Sequence, residues 1–286
     1  MSLELCILAS GSSGNCAAVR AGSGVMLIDA GIGPRTAGKR LGGTGVALGD
    51  VLAICLTHLD RDHFNANWVS TIVRQQIRVF CHAGRRDDLL RNVAWHQDAA
   101  EFADCIDAFD AGHFSPIEGV ELQPIALAHD ECGSHGFVID GGSCRIGYAT
   151  DLGRVPAELI ELFCDLDVLA IESNYDPLMQ TASARPWFLK QRIMGGAGHL
   201  SNEQALSAVR RVLDRCRDLG QRLPAHIVLL HRSAQCNCPQ LLRRLFGQDP
   251  RISQRLTLAD QYQRTEWLRP MDVPPALGEQ LALAFA

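Results

Sequence analysis

The chain has 286 residues, is 47 % hydrophobic and carries a formal net charge of −5 at pH 7. This length is enough to bury a sizeable core, and the negative charge argues against a surface that coats nucleic acid through a broad basic patch. No apolar run reaches 18 residues, so we expect no membrane-spanning helix. The first residues lack the basic start of a signal peptide, and the eleven cysteines are irregularly spaced. Both features favour a cytoplasmic protein with reduced, buried thiols.

The first third of the chain predicts short buried strands separated by helices. Pro34 suits the first turn of a helix, where a missing backbone N–H costs nothing. The expected strands are 3–8, 16–20, 25–31, 52–58 and 77–84, and the expected helices are 34–41, 65–76 and about 86–95.

The stretch from 101 to 150 predicts mostly strand, and helices and strands alternate after it. Ser201 and Gln204 have the spacing of a capping box, which places a helix start at Ser201. The expected strands are 101–109, 119–129, 136–142, 144–151, 168–173 and 225–231, and further helices are expected at 156–163, about 184–194 and shortly after 265. No linker interrupts the pattern, which favours one α/β domain over 1–286, with two sheets covered by helices and a core from about 3 to 260.

Residues 56–64 read LTHLDRDHF and concentrate metal-binding side chains directly after an apolar strand. His58, Asp60, Asp62 and His63 lie within six positions of one another. Packing imidazoles and carboxylates this densely is electrostatically costly unless a cation binds them. The stretch therefore predicts a metal site.

Three further residues of the same kinds follow apolar strands later in the chain: His129, Asp151 and His231. In layered α/β proteins the carboxyl ends of strands are where sites are assembled, so we expect these side chains to join the first cluster. The histidines without this context are expected to be structural, namely His82, His96, His113, His135 and His226. The pair Cys236 and Cys238 is only a weak metal signal.

These motifs resemble those of the metallo-β-lactamase superfamily, whose loop T-H-x-H-x-D-H corresponds to Thr57 through His63. Other matching segments follow in order, namely LIDAG (27–31), the strand-end His129, ATDLG (149–153) and LLHRS (229–233). Within the superfamily the chain is similar to the WalJ/YycJ group of bacterial proteins, through LASGSSGN (8–15), HD (129–130), TDLG (150–153), ESNYD (172–176) and GHLSNE (198–203).

The resemblance implies a metallo-β-lactamase αββα sandwich of two mixed sheets and a site for two divalent ions, zinc, manganese or iron. The first ion would be bound by His58, Asp60 and His129, the second by Asp62, His63 and His231, with Asp151 bridging the two. A hydroxide shared by the ions would be the nucleophile, so no protein nucleophile is required. Asp29 and Thr57 would support the ligands through hydrogen bonds.

Asp60 departs from the superfamily, which usually has histidine at this position. A carboxylate makes the first site harder and should shift its preference from zinc towards manganese or iron. Flavodiiron proteins of the superfamily also have a carboxylate there and perform redox chemistry, so a redox di-iron protein is one alternative.

The WalJ/YycJ resemblance also implies a substrate, a phosphodiester such as DNA that is cut from its 5′ end. A phosphate is expected to contact Ser12, Ser13, Asn15 and Asn174, although a plain hairpin turn explains the first three equally well. Asp62 and His199 are the expected catalytic residues, the histidine because it precedes a helix N-terminus. Tyr175 of ESNYD stands where the WalJ/YycJ group has a histidine, which puts substrate choice in question.

A hydrolase of lactones or thioesters and a metal-binding regulator without turnover are the remaining alternatives. Neither the oligomeric state nor a membrane partner is implied.

Overall fold

The computed structural model describes residues 2–22 and 24–270. The strands in this part of the chain are β1 (Glu4–Ala9), β2 (Cys16–Ala21), β3 (Gly24–Ile28), β4 (Val51–Cys55), β5 (Arg78–His82), β6 (Ile106–Phe109), β7 (Phe114–Ile117), β8 (Val120–Leu127), β9 (Ser134–Asp140), β10 (Arg145–Ala149), β11 (Val168–Glu172), β12 (His226–Leu230) and β13 (Leu256–Leu258). The α-helices are α1 (Pro34–Leu41), α2 (Val69–Gln75), α3 (Arg86–Val93), α4 (Ala99–Ala103), α5 (Ala157–Leu162), α6 (Pro177–Ala182), α7 (Trp187–Met194), α8 (Asn202–Asp218), α9 (Pro239–Phe246) and α10 (Pro250–Ser253). Short 3-10 helices occupy Leu48–Asp50, Ala66–Trp68 and Ala83–Arg85.

The first sheet has the strand order β1-β2-β3-β4-β5-β6. Strands β1, β2 and β3 are antiparallel neighbours, whereas β3 to β6 run parallel. Parallel neighbours need a crossover, and helices α1 to α4 supply it. The carboxyl ends of β3 and β4 therefore lie at one edge, where Asp29 and the loop from His58 to His63 follow them.

The second sheet has the order β13-β12-β11-β10-β9-β8-β7. Strands β7 to β10 are antiparallel, and β10 to β13 are parallel. Because β8, β10, β11 and β12 consequently run in the same direction, their carboxyl ends share an edge. That edge bears His129, Asp151, Glu172 and His231.

The two sheets pack face to face, and each is covered by helices on its other side. Between the sheets lie side chains such as Ile7, Phe137 and Leu230. On the outer faces, Trp68 of the first helical layer packs over the first sheet and Val209 of α8 over the second. All five residues of β11 are buried, as expected for a strand that is covered on both faces. The predicted αββα sandwich of two mixed sheets is confirmed.

Two helix predictions are confirmed in detail, and one strand prediction is wrong. Helix α1 begins at Pro34, and Ser201 caps α8 because its Oγ accepts from Gln204 N at 3.2 Å while Gln204 Oε1 accepts from Ser201 N at 2.8 Å. The segment 101–109 is strand only in its second half, because helix α4 occupies the first. Alanine and glutamate favour a helix there, and Phe102 of α4 packs into the first core.

The last described residues run along the first strand. Leu268 pairs with Leu5 through two backbone hydrogen bonds of 2.8 and 3.2 Å, and Thr265 N donates to Ile7 O at 3.0 Å. Residues 265–268 therefore pair with β1 instead of forming a helix, and the remainder of the predicted final helix lies outside the described residues. All eleven cysteines are free, nine of them buried. None of the helices found within 2–22 and 24–270 combines the length and apolarity needed to cross a membrane.

Candidate metal centre

The loop after β4 is a tight turn that presents its ligand candidates on one side. His63 N and Phe64 N both donate to Asp60 O, at 2.8 and 2.9 Å. Across from it, Asn15 N donates to Asp62 O at 2.7 Å and so ties the loop to the turn between β1 and β2. His58 and His63 are buried, whereas the side chains of Asp60 and Asp62 are 54 % and 24 % exposed.

Asp29 supports this loop through hydrogen bonds to Thr57 and His63. Its Oδ1 accepts from Thr57 N at 2.8 Å, and both carboxylate oxygens accept from Thr57 Oγ1 at 2.9–3.0 Å. Its Oδ2 lies 2.7 Å from His63 Nδ1. A carboxylate on Nδ1 fixes the ring orientation and leaves Nε2 for a cation. Asp29 and Thr57 thus lie where the sequence places support for the ligands.

The first group of donor atoms comes from His58, Asp60 and His129. One potential ligand atom from each lies within 4.8 Å of the others. His58 Nε2 is 3.8 Å from Asp60 Oδ2 and, although buried, makes no hydrogen bond. His129 Nδ1 lies 2.9 Å from Gly198 O, which leaves its Nε2 for the same position. A cation would satisfy the unpartnered Nε2 of His58.

The second group comes from Asp62, His63 and His231. Asp62 Oδ2 lies 3.7 Å from His63 Nε2 and 3.6 Å from His231 Nε2. Both ring nitrogens of His231 are buried and make no hydrogen bond of acceptable geometry. Asn15 Nδ2 lies 2.9 Å from His63 Nε2, so this amide is the polar neighbour that a cation would displace.

Asp151 lies between the two groups. Its Oδ2 is 3.0 Å from His63 Nε2, and its Oδ1 is 3.9 Å from His129 Nε2 and 2.8 Å from His231 Nδ1. Asp29, Asp130, Asp151 and His231 all have positive φ, between 41° and 61°. Left-handed backbone is unfavourable for these residues and is concentrated here, at the strand ends where the donor atoms meet.

A cavity with a volume of about 460 Å³ opens above these groups. The residues lining it include Ser12, Asp60, Asp62, His129, Asp151, Asn174, Arg185, Arg192, His199 and His231. A second cavity of about 570 Å³, lined in part by Arg85, Glu131 and Cys132, meets the first at Asp60, His129, Asp130 and Arg192. The first donor group therefore borders both cavities, whereas Asp62 and His231 of the second group line only the first.

Comparison with known proteins agrees with this arrangement. The profile of the beta-lactamase superfamily domain matches residues 25–227, which is more than half of the chain. The chain belongs to the metallo-β-lactamase superfamily. Two curated relatives are 25 % identical to it: exodeoxyribonuclease YycJ of Bacillus anthracis, over 85 % of this chain and 87 % of that protein, and exodeoxyribonuclease WalJ of Streptococcus pneumoniae, over 82 % and 83 %. A diphosphatase of the PhnP family has a similar structure, with a TM-score of 0.63 and 15 % identity over 94 % of this chain and 99 % of its own.

Around this superfamily site the buried charges compensate one another. Burial and the neighbouring His63 hold the pKa of His58 well below its usual value, which keeps that imidazole neutral. Burial also opposes protonation of His231, but the carboxylates of Asp151 and Glu172 outweigh it and raise the pKa of His231 to about 10. Burial likewise opposes ionisation of Asp151, yet His231 and His63 hold its pKa well below the usual value. A cation entering here would displace protons from such pairs.

The expected substrate residues are placed unequally. Ser12 and Asn174 line the cavity, and Asn174 Nδ2 donates to His231 O at 2.8 Å. Ser13 is exposed and does not line the cavity, and its backbone N–H donates to Gln261 Oε1 at 2.9 Å. Asn15 is fully buried. Its Oδ1 accepts from Gly11 N, and its Nδ2 contacts the ligand loop, which is the segment from His58 to His63. The expected contact with substrate is therefore corrected to a structural role. Tyr175 is also buried, in a small apolar cluster with Ile193 and Cys236.

Glu172 belongs to the site although sequence reasoning did not single it out. It is fully buried; Oε1 lies 2.7 Å from His199 Nδ1 and 3.2 Å from His231 Nδ1, and Oε2 accepts from Leu152 N and Leu200 N at 3.1 Å. Together with Asp151, His199 and His231 it forms a further cluster able to hold a cation. The signal was available, since Glu172 ends strand β11 just as the other site residues follow strands.

Proposed function

We propose that this member of the superfamily is a phosphodiesterase that uses two divalent cations to remove nucleotides from the 5′ end of DNA. The observation that best supports it is that the buried carboxylate of Asp151 lies between two groups of donor atoms beneath an open cavity. The names of the two curated relatives, at 25 % identity, supply the activity that we assign.

The residues fit two cations. His58, Asp60 and His129 would hold the first, and Asp62, His63 and His231 the second, with Asp151 contacting both. The buried Nε2 of His58, which makes no hydrogen bond, supports this assignment, as does His231, whose Nδ1 lies on Asp151 and whose Nε2 lies 3.6 Å from Asp62 Oδ2. Bound there, two divalent cations lower the pKa of a water molecule and stabilise negative charge on a phosphate. Three carboxylates against two divalent cations leave one positive charge, which a single hydroxide would neutralise.

Two side chains at the cavity would handle protons and orientation. His199 lines the cavity, and with its Nδ1 held by Glu172 its Nε2 is the atom left to donate a proton to the departing oxygen. Asp62 also lines the cavity, and its partly exposed carboxylate would orient the attacking water. Ser12 and Asn174 would contact the bound phosphate.

The two cavities that meet at Asp60 and His129 favour a chain-like substrate over a compact one. A strand lying across the donor groups would place the departing nucleotide in one cavity and the rest of the strand in the other. The combined space exceeds what a small lactone or thioester needs.

The experiment combines elemental analysis with a nuclease assay. Purified protein loaded with manganese, zinc or iron would be incubated with 5′-phosphorylated, 3′-labelled single-stranded DNA. We expect mononucleotides to be released, and the rate to fall roughly 100-fold or more in His63→Ala. His113→Ala is the matched control, because His113 is exposed and pairs with Glu121 away from the cavity.

Other outcomes would redirect the assignment. Absence of any phosphodiester cleavage in all three metals would refute the proposal. Turnover of chromogenic esters or lactones instead would identify a carbonyl hydrolase. Iron with an oxygen-dependent change in the absorption spectrum would identify a redox protein.

A further inference from the structure

Arg185 lines the site cavity and has only neutral partners. Its Nε lies 3.2 Å from Gln235 Oε1, its Nη1 3.1 Å from Gln180 Oε1 and its Nη2 3.4 Å from Ser233 Oγ. Among residues 2–22 and 24–270, no carboxylate lies within ion-pairing distance of this guanidinium. Its positive charge is therefore not neutralised within that part of the chain.

Arg192 of the same cavity is the contrasting case. Its Nε donates to Asp130 Oδ1 at 2.9 Å and its Nη2 to the other oxygen, an ion pair that occupies both carboxylate oxygens. Such a bidentate pair leaves little attraction for a ligand. Arg185 has three of its five N–H groups on neutral oxygens, so two N–H groups and the full charge are left for an anion.

The partners of Arg185 also fix its position. Gln180 is fully buried, and Ser233, which is 3 % exposed, follows His231 by two residues. Ser233 Oγ in addition accepts from Cys236 N at 3.1 Å. The guanidinium is thus attached to the same loop that supplies a cation ligand, and it is oriented before any ligand arrives. Preorganisation of this kind lowers the entropic cost of binding.

We propose that Arg185 anchors a second anion subsite, which binds a phosphate of the substrate that is not cleaved. This inference rests on the proposed phosphodiesterase function and specifies which phosphate the cavity selects for. A planar guanidinium with two free N–H groups matches two oxygens of a phosphate. The cavity of about 460 Å³ can hold a nucleotide, and Leu189 and Ile193 of α7 give it an apolar wall for the sugar and base.

The electrostatics separate the two phosphates. The carboxylates of Asp60, Asp62 and Asp151 repel an anion from the donor groups until cations bind there. Arg185 attracts a phosphate without a cation. The scissile phosphate would therefore lie at the cations and the neighbouring phosphate at Arg185.

The first test compares two thymidine dinucleotides, one with a 5′-phosphate and one without. Wild-type protein should hydrolyse the phosphorylated dinucleotide with the lower KM. In Arg185→Gln this KM should rise roughly 10- to 100-fold, the loss typical of a charged hydrogen bond, while the KM of the unphosphorylated dinucleotide should change much less. Arg185→Lys, which keeps the charge but not the planar fork, should give an intermediate rise.

Arg211→Gln provides the matched control. Arg211 is exposed on α8 and is not part of the cavity lining, so its loss changes the net charge equally without touching the subsite. Both KM values should stay within about twofold of wild type. Thermal unfolding of each variant would show whether Arg185→Gln remains folded.

A second measurement does not depend on turnover. Isothermal titration would use the same two dinucleotides with a methylphosphonate linkage, which cannot be hydrolysed as a phosphodiester. Wild type should bind the phosphorylated analogue more tightly, and Arg185→Gln should lose that preference.

Each result decides one of the two claims. Equal losses for both dinucleotides in Arg185→Gln, or no preference for the 5′-phosphate in wild type, would overturn the subsite. Arg185 would then be only a structural link between α6 and the loop that follows His231. No hydrolysis by wild type, together with an Arg185-dependent preference in binding, would refute the phosphodiesterase and retain the subsite.

Discussion

Glu172 Oε1 lies 2.7 Å from His199 Nδ1, while Oε2 of the same buried carboxylate accepts two backbone N–H groups. The carboxylate is thereby fixed from one side and orients the imidazole from the other. In Glu172→Gln the amide can keep the backbone contacts but presents an N–H group to His199, which reverses the preferred tautomer. We expect kcat to fall roughly 10- to 100-fold with KM nearly unchanged.

Metal content separates this orienting role from a ligand role for Glu172. If wild-type protein holds a third cation that Glu172→Gln loses, the cluster of Asp151, Glu172, His199 and His231 is itself a cation site, and the assignment of His199 to proton transfer is wrong. Glu158→Gln is the control, because Glu158 is an exposed residue of α5.

Asp60→His should change metal preference without harming the fold. The Asp60 side chain is 54 % exposed, so a larger imidazole can be accommodated, and nitrogen in place of oxygen favours zinc over manganese. We expect the zinc-to-manganese ratio, measured by elemental analysis after loading from an equimolar mixture, to rise severalfold. Asp60→Asn should instead weaken binding of both metals. An unchanged ratio in Asp60→His would show that Asp60 is not a ligand.

Gly31 is required for the ligand loop to approach the turn between β1 and β2. A Cβ at this position would lie 1.8 Å from Asp62 O and 2.7 Å from Asn15 N, between the two atoms that form a hydrogen bond. Gly31→Ala should therefore cost about 3 kcal/mol or more of unfolding free energy in urea and reduce metal content. At Gly49 nothing lies within 4 Å of an added Cβ, so Gly49→Ala should stay within about 0.5 kcal/mol. Equal effects of the two substitutions would contradict this account.

Asp29→Asn tests support of the ligands from beneath. An amide can accept from Thr57 through its oxygen but cannot offer a second carboxylate oxygen to His63 Nδ1. We expect cation affinity, measured by competition with a chromogenic chelator, to fall roughly 10- to 100-fold. Asp87→Asn on the exposed face of α3 should leave the affinity unchanged. Retention of wild-type affinity in Asp29→Asn would remove Asp29 from this role.

Asp249 should contribute stability that depends on pH in the acid range. Hydrogen bonds from Arg251, aided by Arg210, lower the pKa of this carboxyl from 3.8 to about 2. A carboxyl group whose pKa is lower in the folded than in the unfolded protein stabilises the fold at pH values above 3.8. This contribution disappears as the pH falls through about 2. Asp249→Asn should thus lower the unfolding free energy by roughly 1–2 kcal/mol at pH 6, and the difference from wild type should narrow below pH 4. A difference that is constant with pH would exclude this ion pair as its source.

The sequence predicted those parts of the fold and site that depend on local pattern. Apolar strands followed by His129, Asp151 or His231 predicted both the strands and the edge at which the side chains meet, because parallel strands share their carboxyl ends. The prediction that Asn15 contacts substrate was wrong because the position of that side chain does not depend on local pattern. Its burial depends on contacts with a loop 47 residues later, and a glycine-rich turn read alone looks open. Glu172 met the strand-end criterion but was missed because the criterion was applied to histidine and aspartate, and its contacts with His199 and His231 join it to segments much later in the chain.

His231 N donates to Ser10 Oγ at 2.7 Å, which joins the end of the first strand to the end of the twelfth across 221 positions. During synthesis on the ribosome, the ligand loop after β4 is made long before this partner exists. The emerging chain can carry His58 and His63 but cannot complete the cavity until His231 has been added and has docked on Ser10. Any hydrolytic capacity of the cavity is thereby withheld from unfinished chains.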